Sequence, residues 1–295
     1  MTLRFFGSNN LGIPKLNQYI CVLVLLVFGS PLFAEEAAKE IIKESAGENI
    51  KEDSKAFSGA ASLALRSSTS NASEYNYRIL LSPSLNVEYE FKNRFTLGLS
   101  VRGTKDLNNE MLYTLTDTTV SASRHFELAE GLNFGVDVSY GAPVSKQLYR
   151  YANAKGTAGG SVSLRYQFSG VLTGLSLSGG LTYDRYLYQY QFADGGAILT
   201  KYSVSQSYGV TYTWNKLITG SVSFTDVTSW DFDGSQENDT YLFVETVQYH
   251  INEAFAVQAG HINDGTTYDY LGEKNNVKIY DRYRSQVFIG GTYSF

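Results

Sequence analysis

Cysteine is nearly absent from this sequence of 295 residues, because Cys21 is the only one. Disulfides therefore cannot hold the fold together. Charged side chains make up only 18% of the chain, against about 25% in an average soluble domain. The longest apolar run, 19–29, is too short for a membrane-spanning helix, which needs about 20 residues. The sequence thus excludes a disulfide-stabilised fold and predicts no spanning helix.

The first 34 residues have the three parts of a secretory signal peptide. Arg4 and Lys15 form a basic start, the run 19–29 is the apolar core, and the exit SPLFA ends at Ala34. We expect cleavage near Ala34; an uncleaved anchor is the alternative. Cleavage would remove Cys21 and lower the basic count from 24 to 22, against 29 acidic residues. That balance argues against nucleic-acid binding, which requires a basic surface.

Residues 35–55 form a second segment with its own composition. They are charged, contain no aromatic residue and carry only a weak stripe of isoleucine. Two interpretations are open: a disordered periplasmic leader, or a short helix that docks on or plugs the rest of the protein. From residue 56 to 295 the composition shifts to Tyr, Thr, Ser and Gly, which favour strands and turns and predict one further domain.

The domain 56–295 is built from runs in which every second residue is apolar. In FTLGLSVRG (95–103), the odd-numbered residues from Phe95 to Val101 are apolar, and the even-numbered ones are small or polar. This alternation predicts strands with one apolar face. Twelve runs follow it: 56–67, 77–91, 95–104, 112–126, 132–141, 157–168, 175–188, 201–214, 217–226, 240–250, 254–262 and 282–295.

The connections between these runs alternate between short and long, and aromatic residues gather at the run ends. A soluble β-sandwich would pack its apolar faces together and gives no reason for alternating connections. A bacterial membrane barrel has an even strand number, short periplasmic turns, long outer loops and aromatic girdles. The sequence therefore predicts an all-β fold, an antiparallel transmembrane β-barrel of about 12 strands with short periplasmic turns and long extracellular loops.

The last strand, VFIGGTYSF, carries the most specific motif. Ile289, Tyr293 and the terminal Phe295 lie in one apolar row, with Gly291 as a weak member. This strand resembles the assembly signal of bacterial outer-membrane β-barrel proteins, and the resemblance covers 56–295 without indicating a subfamily. It implies a Gram-negative outer-membrane location. The implied partners are the lipid bilayer, lipopolysaccharide and the barrel assembly machinery.

Ser, Thr and Gly dominate the polar face of the runs, and they should line the lumen. Such small side chains cannot fill a barrel of about 12 strands, so water should enter. The main hypothesis is a porin-like, narrow passive pore for small hydrophilic solutes. Charged lumen residues would either influence passage or pair across the lumen and brace the wall. The expected set is Glu88, Arg102, Asp117, Asp137, Arg165, Asp184 and Arg284.

A second hypothesis is a surface-interaction or structural barrel that acts through its long extracellular loops. The stretch YDRYLYQYQF (183–192) is the most aromatic part of the chain. Tyr186, Tyr188 and Tyr190 are its candidates for stacking on a sugar or anchoring a partner. The alternative is an extended hairpin whose tyrosines lie at the membrane interface.

Catalysis has little support in the sequence. Of three histidines, only His261 lies at a long-loop end, where a lipid-modifying enzyme could place a base. The acidic loop DFDGSQEND (231–239) departs from the EF-hand pattern for Ca²⁺. We therefore predict no catalytic residue, no metal and no cofactor. The oligomeric state stays open, as does the facing of 240–250, where Glu245 falls on the apolar side.

Deletion of Phe295 is expected to impair membrane insertion, because it shortens the terminal strand that must meet the first strand and carry the assembly signal. Insertion can be measured as the fraction of protein whose gel mobility changes on boiling. The conductance of the molecules that do insert should be unchanged. An unaltered inserted fraction would contradict the assignment of this strand as the assembly signal.

Overall fold

The computed structural model describes residues 57–70, 74, 77–91, 95–108, 113–115, 118–144, 153–268 and 274–295. The predicted signal peptide 1–34, the leader 35–55 and Asp117 lie outside these residues. Within them, no helix is long and apolar enough to cross a membrane. The described helical structure is one 3-10 turn, Gly170–Leu172.

Thirteen strand segments follow one another along the chain and pair antiparallel with their neighbours in one sheet. They are β1 Phe57–Ser68, β2 Ile79–Glu90, β3 Phe95–Asp106, β4 Tyr113–Leu115, β5 Thr118–Ala129, β6 Leu132–Ala142, β7 Ala154–Gln167, β8 Leu175–Tyr188, β9 Thr200–Trp214, β10 Ile218–Asp231, β11 Thr240–His250, β12 Phe255–Thr266 and β13 Gln286–Ser294.

The sheet closes into a barrel of twelve strands. Segments β4 and β5 both pair with β3, through Gly103↔Leu115 and Phe95↔Arg124 respectively, so they are two pieces of one barrel strand. The ring closes where β1 pairs with β13. Closure gives every edge strand a partner, which a barrel in hydrocarbon needs because unpaired backbone groups there cost several kcal/mol each. The predicted fold class is confirmed.

One face of the sheet carries the large apolar side chains, and these are exposed rather than buried. Val138 is 50% exposed and Ile289 is 63% exposed. Opposite residues of an antiparallel pair share a face, and the register places Val138 opposite Gly160, which in turn faces Tyr183. We call this side the outer face and the other side the inner face. Exposure of the apolar side excludes the soluble sandwich.

Apolar side chains form almost no core among the described residues. Four of the five buried apolar residues are alanines, and the fifth is Tyr241. A globular domain of similar length would bury many Leu, Val and Ile side chains. The barrel is therefore held mainly by its backbone ladders and by contacts along its wall.

Aromatic rings collect at both ends of the outer face. At the short-turn end, Tyr212 and Trp214 meet edge to face with ring centroids 4.4 Å apart. At the long-loop end, Tyr202 stacks on Trp230 at 5.0 Å. Amphipathic rings favour the boundary between lipid and water, so these two levels mark the expected apolar band.

The C-terminal residue is part of the barrel wall. The Gly59 N–H donates to the Phe295 carbonyl at 2.9 Å, and the Phe295 N–H donates to the Gly59 carbonyl at 3.0 Å. The Phe295 ring lies over Gly59 and is 6.3 Å from the ring of Phe57. The expectation that the last strand meets the first is confirmed.

Two strands end or begin at other residues than predicted, because their backbone pairing does not stop where the apolar alternation stops. β10 continues to Asp231 rather than 226, because Val227 to Trp230 still pair with β9 although the apolar alternation has ended. β13 begins at Gln286 rather than 282, because a turn precedes it. In that turn the Ser285 N–H donates to the Asp281 carbonyl at 2.7 Å.

Substitution of Gly260 by alanine should lower the free energy of unfolding by about 1–3 kcal/mol, the usual cost of overpacking. A Cβ there would overlap the Glu245 carbonyl oxygen and the Phe288 ring, which lies against the glycine. Gly160→Ala is the matched control, since its nearest neighbour would be the Asp137 carbonyl oxygen at 3.7 Å. Urea unfolding in detergent micelles, followed by tryptophan fluorescence, measures both variants. Equal losses of unfolding free energy in the two variants would contradict the view that the close contacts at Gly260 cause the effect.

Candidate functional site: the barrel lumen

The inner face is lined mainly by small polar side chains. Across five neighbouring strands, the register sets Asp137 opposite Ser161, Ser161 opposite Thr182, and Thr182 opposite Ser205, which faces Val227. This row runs through the middle of the wall. It contributes hydroxyl groups and one acid to the lumen.

Several inner hydroxyls bond to each other along the wall. Ser62 Oγ lies 3.1 Å from Thr292 Oγ1 across the closing seam of the barrel. Thr213 Oγ1 lies 3.2 Å from Thr219 Oγ1 between β9 and β10. These bonds join adjacent strands, so the side chains lie against the wall and do not extend across the lumen.

Glycines on the inner face give neighbouring side chains room to lie flat. A Cβ at Gly209 would come within 2.6 Å of Ser178 Oγ, and the Asp184 carboxylate lies directly over Gly159. Each of these glycines faces the polar residue across the β-ladder. The glycine and hydroxyl pattern therefore keeps side chains close to the wall.

Five of the predicted charged residues lie on the inner face by register. Glu88 faces Gly98, and Arg102 faces Ser84 on the neighbouring strand. Asp137, Arg165 and Asp184 lie on the adjacent strands β6, β7 and β8, so the fold brings these three into one sector. Arg165 Nη2 donates to Ser176 Oγ at 3.4 Å, again along the wall.

Acidic residues gather at the short-turn mouth of the lumen. A polar cavity of about 350 Å³ is lined there by Glu88, Glu90 and Glu127, together with His125 and Asn133. Two of these acids are on β2 and one is at the end of β5. The mouth therefore has an excess of negative charge over the mid-lumen, where both signs occur.

Arg284 is placed differently from the prediction. It precedes β13 in the turn, where the alternation of faces does not yet apply. Its Nη1 lies over Gly265, where a Cβ would come within 2.6 Å of it, beside the ring of Tyr241. Tyr241 faces Gly265, and it shares a side of β11 with Val247, which is 58% exposed. The guanidinium therefore lies on the outer face. The lumen assignment of Arg284 fails because the strand begins two residues later.

Two inner residues were missed by sequence reasoning. Arg66 lies between the outward Leu65 and Ser67, which face Ile289 and Val287 across the seam. Phe288 lies opposite Arg66 on the same inner side. Simple alternation from Leu65 would have placed Arg66 correctly, whereas an aromatic ring on the polar face has no sequence signal.

The three tyrosine candidates do not form one loop surface. Tyr186 belongs to β8, faces Thr157 on the inner side, and its hydroxyl is 3.4 Å from the Oγ of the buried Ser203. The ring of Tyr188 stacks on that of Tyr186, with centroids 6.4 Å apart. Tyr190 alone of the three lies beyond the strand and is exposed.

The acidic loop and His261 have ordinary structural contacts. Asp231 Oδ1 accepts the backbone N–H groups of Asp233 at 3.0 Å and Ser235 at 2.9 Å, which closes a turn. Among the described residues, no group of three or more His, Cys, Asp or Glu could hold a metal ion. His261 pairs with an acid, because its Nδ1 lies 3.4 Å from Glu245 Oε2.

Comparison with solved structures identifies the class of fold. The NanC porin superposes with a TM-score of 0.53 at 13% identity, over 80% of this chain and 98% of that chain. The COG4313 outer membrane channel from Pseudomonas putida F1 superposes with a TM-score of 0.54 at 14% identity, over 84% and 98%. No family model and no curated protein sequence matches this chain. The likeness establishes an outer-membrane type of β-barrel and nothing finer.

The turn before β13 should loosen in acid. Hydrogen bonds from Lys278 and from the Tyr283 backbone hold the pKa of the Asp281 carboxyl below its ordinary value of 3.8. Because the pKa of Asp281 is lower in the folded protein than in the unfolded chain, the ionised carboxylate stabilises the turn at pH values above the ordinary pKa. This stabilisation is lost as the pH falls through the lowered pKa. NMR titration of Asp281 and amide exchange at Tyr283 measure this. Asp281→Asn should remove the pH dependence of the turn. An Asp281 carboxyl that titrates at or above its ordinary pKa would contradict this prediction.

Proposed function

We propose that this protein is an integral outer-membrane barrel that acts as a narrow, passive, porin-like pore for small hydrophilic solutes. The observation that carries the proposal is the inner face, where hydroxyl groups and glycines line a closed ring of twelve strands. The likeness in fold to a porin and to an outer membrane channel supports it. The proposal requires no catalytic residue or cofactor.

Hydroxyl groups along the wall suit weakly selective passage. They can accept and donate hydrogen bonds, so they partly replace the water that a polar solute loses on entering a narrow lumen. The mid-lumen charges have both signs, with Asp137 on β6 and Asp184 on β8 as acids and Arg102 on β3 as a base. A wall of this kind admits small polar solutes without holding any of them tightly.

The charged inner residues are proposed to influence which ions pass most easily. Glu88 belongs to the acidic short-turn mouth, whereas Arg102 lies further along the wall. We likewise infer that the row ending in Phe295 is read by barrel assembly machinery, since it forms the closing strand. The short turns would then face the periplasm and the long loops the cell exterior, with lipopolysaccharide around them.

Purified, folded protein should conduct ions in planar lipid bilayers. Ser161→Trp should lower the single-channel conductance markedly, because it places an indole on the inner face at the middle of the wall. Val162→Trp is the matched control, since the neighbouring side chain lies on the outer face and is already exposed. It should leave conductance unchanged.

Two results would count against the pore. The first is a barrel that shows heat-dependent gel mobility, and so is folded, yet does not conduct. The second is equal conductance in wild type and Ser161→Trp, which would show that the current does not pass through this lumen. Loss of current in both tryptophan variants would indicate a folding defect, which the gel assay detects.

A further inference from the structure

Residues 274–284 precede β13 at the long-loop end of the barrel, and we call this segment the strap. Both of its ends are tied to the ends of neighbouring strands. The Asn276 N–H donates to the carbonyl of Thr267, just beyond β12, at 2.8 Å. The hydroxyl of Thr69, just beyond β1, donates to the Arg282 carbonyl at 3.1 Å. The strap therefore runs between the long-loop ends of the two strands that flank β13.

Three contacts hold the strap against the wall of the barrel. The Lys278 N–H donates to the Tyr241 hydroxyl at 3.1 Å, and Asn263 Nδ2 donates to the Lys278 carbonyl at 2.5 Å. The Tyr280 ring lies 6.0 Å from the ring of His261. These contacts are on β11 and β12, so the strap covers the upper part of both strands towards the long loops.

The wall residues under the strap are on the outer face. His261 faces Glu245 on β11 and Val287 on β13, in continuous ladders without a bulge. Val287 lies outward and is exposed, so His261 and Glu245 lie outward as well, which settles the facing of β11. Tyr241 and Asn263 share these sides of their strands, yet both are buried. The strap therefore lies on the lipid side of the barrel and not over the lumen.

Large apolar side chains of the strap are exposed on this side. Ile279, Tyr280 and Tyr283 are each more than half exposed. Tyrosine favours the boundary between lipid tails and headgroups, and exposed apolar groups mark a contact surface. The strap is thus expected to lie at the headgroup level of one leaflet. That leaflet is the outer one if, as proposed above, the long loops face the cell exterior, and the inference rests on that orientation.

The strap is also basic, in a chain that is acidic overall. It contains Lys274, Lys278, Arg282 and Arg284 against the single acid Asp281, whereas the whole chain has a formal net charge of −5. A basic segment next to exposed apolar side chains is typical of a surface that binds anionic lipid.

The acids that pair with two of these cations are less exposed than the cations. Lys278 Nζ lies 2.9 Å from Asp281 Oδ2, with the two side chains 53% and 17% exposed. Arg282 Nη2 lies 2.9 Å from Glu74 Oε1, with the two side chains 48% and 28% exposed. An ammonium has three N–H donors and a guanidinium has five, so one acid does not use them all. Both cations therefore keep donors for an acceptor outside the protein.

We propose that the strap binds the phosphorylated headgroup of lipopolysaccharide. Lys278, Arg282 and Arg284 supply charge-assisted hydrogen bonds to the phosphate oxygens, which Arg and Lys side chains form readily. Ile279 and Tyr283 enter the adjoining acyl region and hold the strap at the depth of the phosphates. Binding of a free phosphate ion would make no use of these apolar side chains, so the arrangement favours a lipid.

Calorimetric titration of the folded protein in detergent micelles tests this site. The two probes are lipid A with both phosphates and lipid A from which both have been removed. Wild-type protein should bind the phosphorylated form more tightly. Lys278→Gln and Arg284→Gln should each weaken that binding about fivefold and leave the other form unaffected. Arg124→Gln is the matched control, since this exposed arginine faces the outward Val136 at the short-turn end, and it should have no effect.

Three results would overturn the proposal: equal binding of both forms by the wild type, strap variants that bind as the wild type does, or an equal loss in Arg124→Gln. Ile279→Ser should weaken the binding of both forms alike, because it removes an apolar contact and no charge. Gel mobility with and without boiling confirms that each variant is folded. Conductance is measured separately, so a barrel that binds lipid A without conducting refutes only the pore, and one that conducts without binding refutes only the strap.

Discussion

Every other feature of this structure depends on closing the ring of backbone hydrogen bonds. A sheet with open edges cannot exist in hydrocarbon, because each unpaired N–H or C=O loses its water without gaining a partner. The seam between β1 and β13 is therefore the decisive contact of the fold. It places the last residue, Phe295, beside Gly59 and makes the chain terminus part of the wall.

Closure also inverts the usual distribution of side chains. Alternation along each strand sends the apolar row outward, and the small polar row inward, so the described residues have almost no apolar core. Inner hydroxyls then bond to their neighbours along the wall, as Ser62 does with Thr292. Glycines such as Gly159 leave room for an adjacent carboxylate to lie flat. The small side chains that keep the lumen open thus also leave room for neighbouring side chains to lie along the wall.

The proposed pore and the Glu245–His261 pair lie on opposite faces of the same sheet. The lumen uses the inner row, where Ser161 and Thr182 face each other, and Glu245 lies in the outer row beside Val222. Since successive residues alternate between the faces, each can carry its own chemistry without changing the other.

The sequence by itself determined the architecture, because the period of two, the even number of runs and the alternating connections are local or additive signals. They place Glu88, Arg102, Asp137, Arg165 and Asp184 on the inner face without knowledge of any contact. Only the tertiary structure decided where alternation stops. A turn held by Asp281 carries Arg284 to the outer side, and unbroken ladders on both sides of β11 fix Glu245 outward beside His261. The alternation of a strand depends only on its own residues, whereas its ends and its lateral neighbours depend on pairing partners far away in the chain.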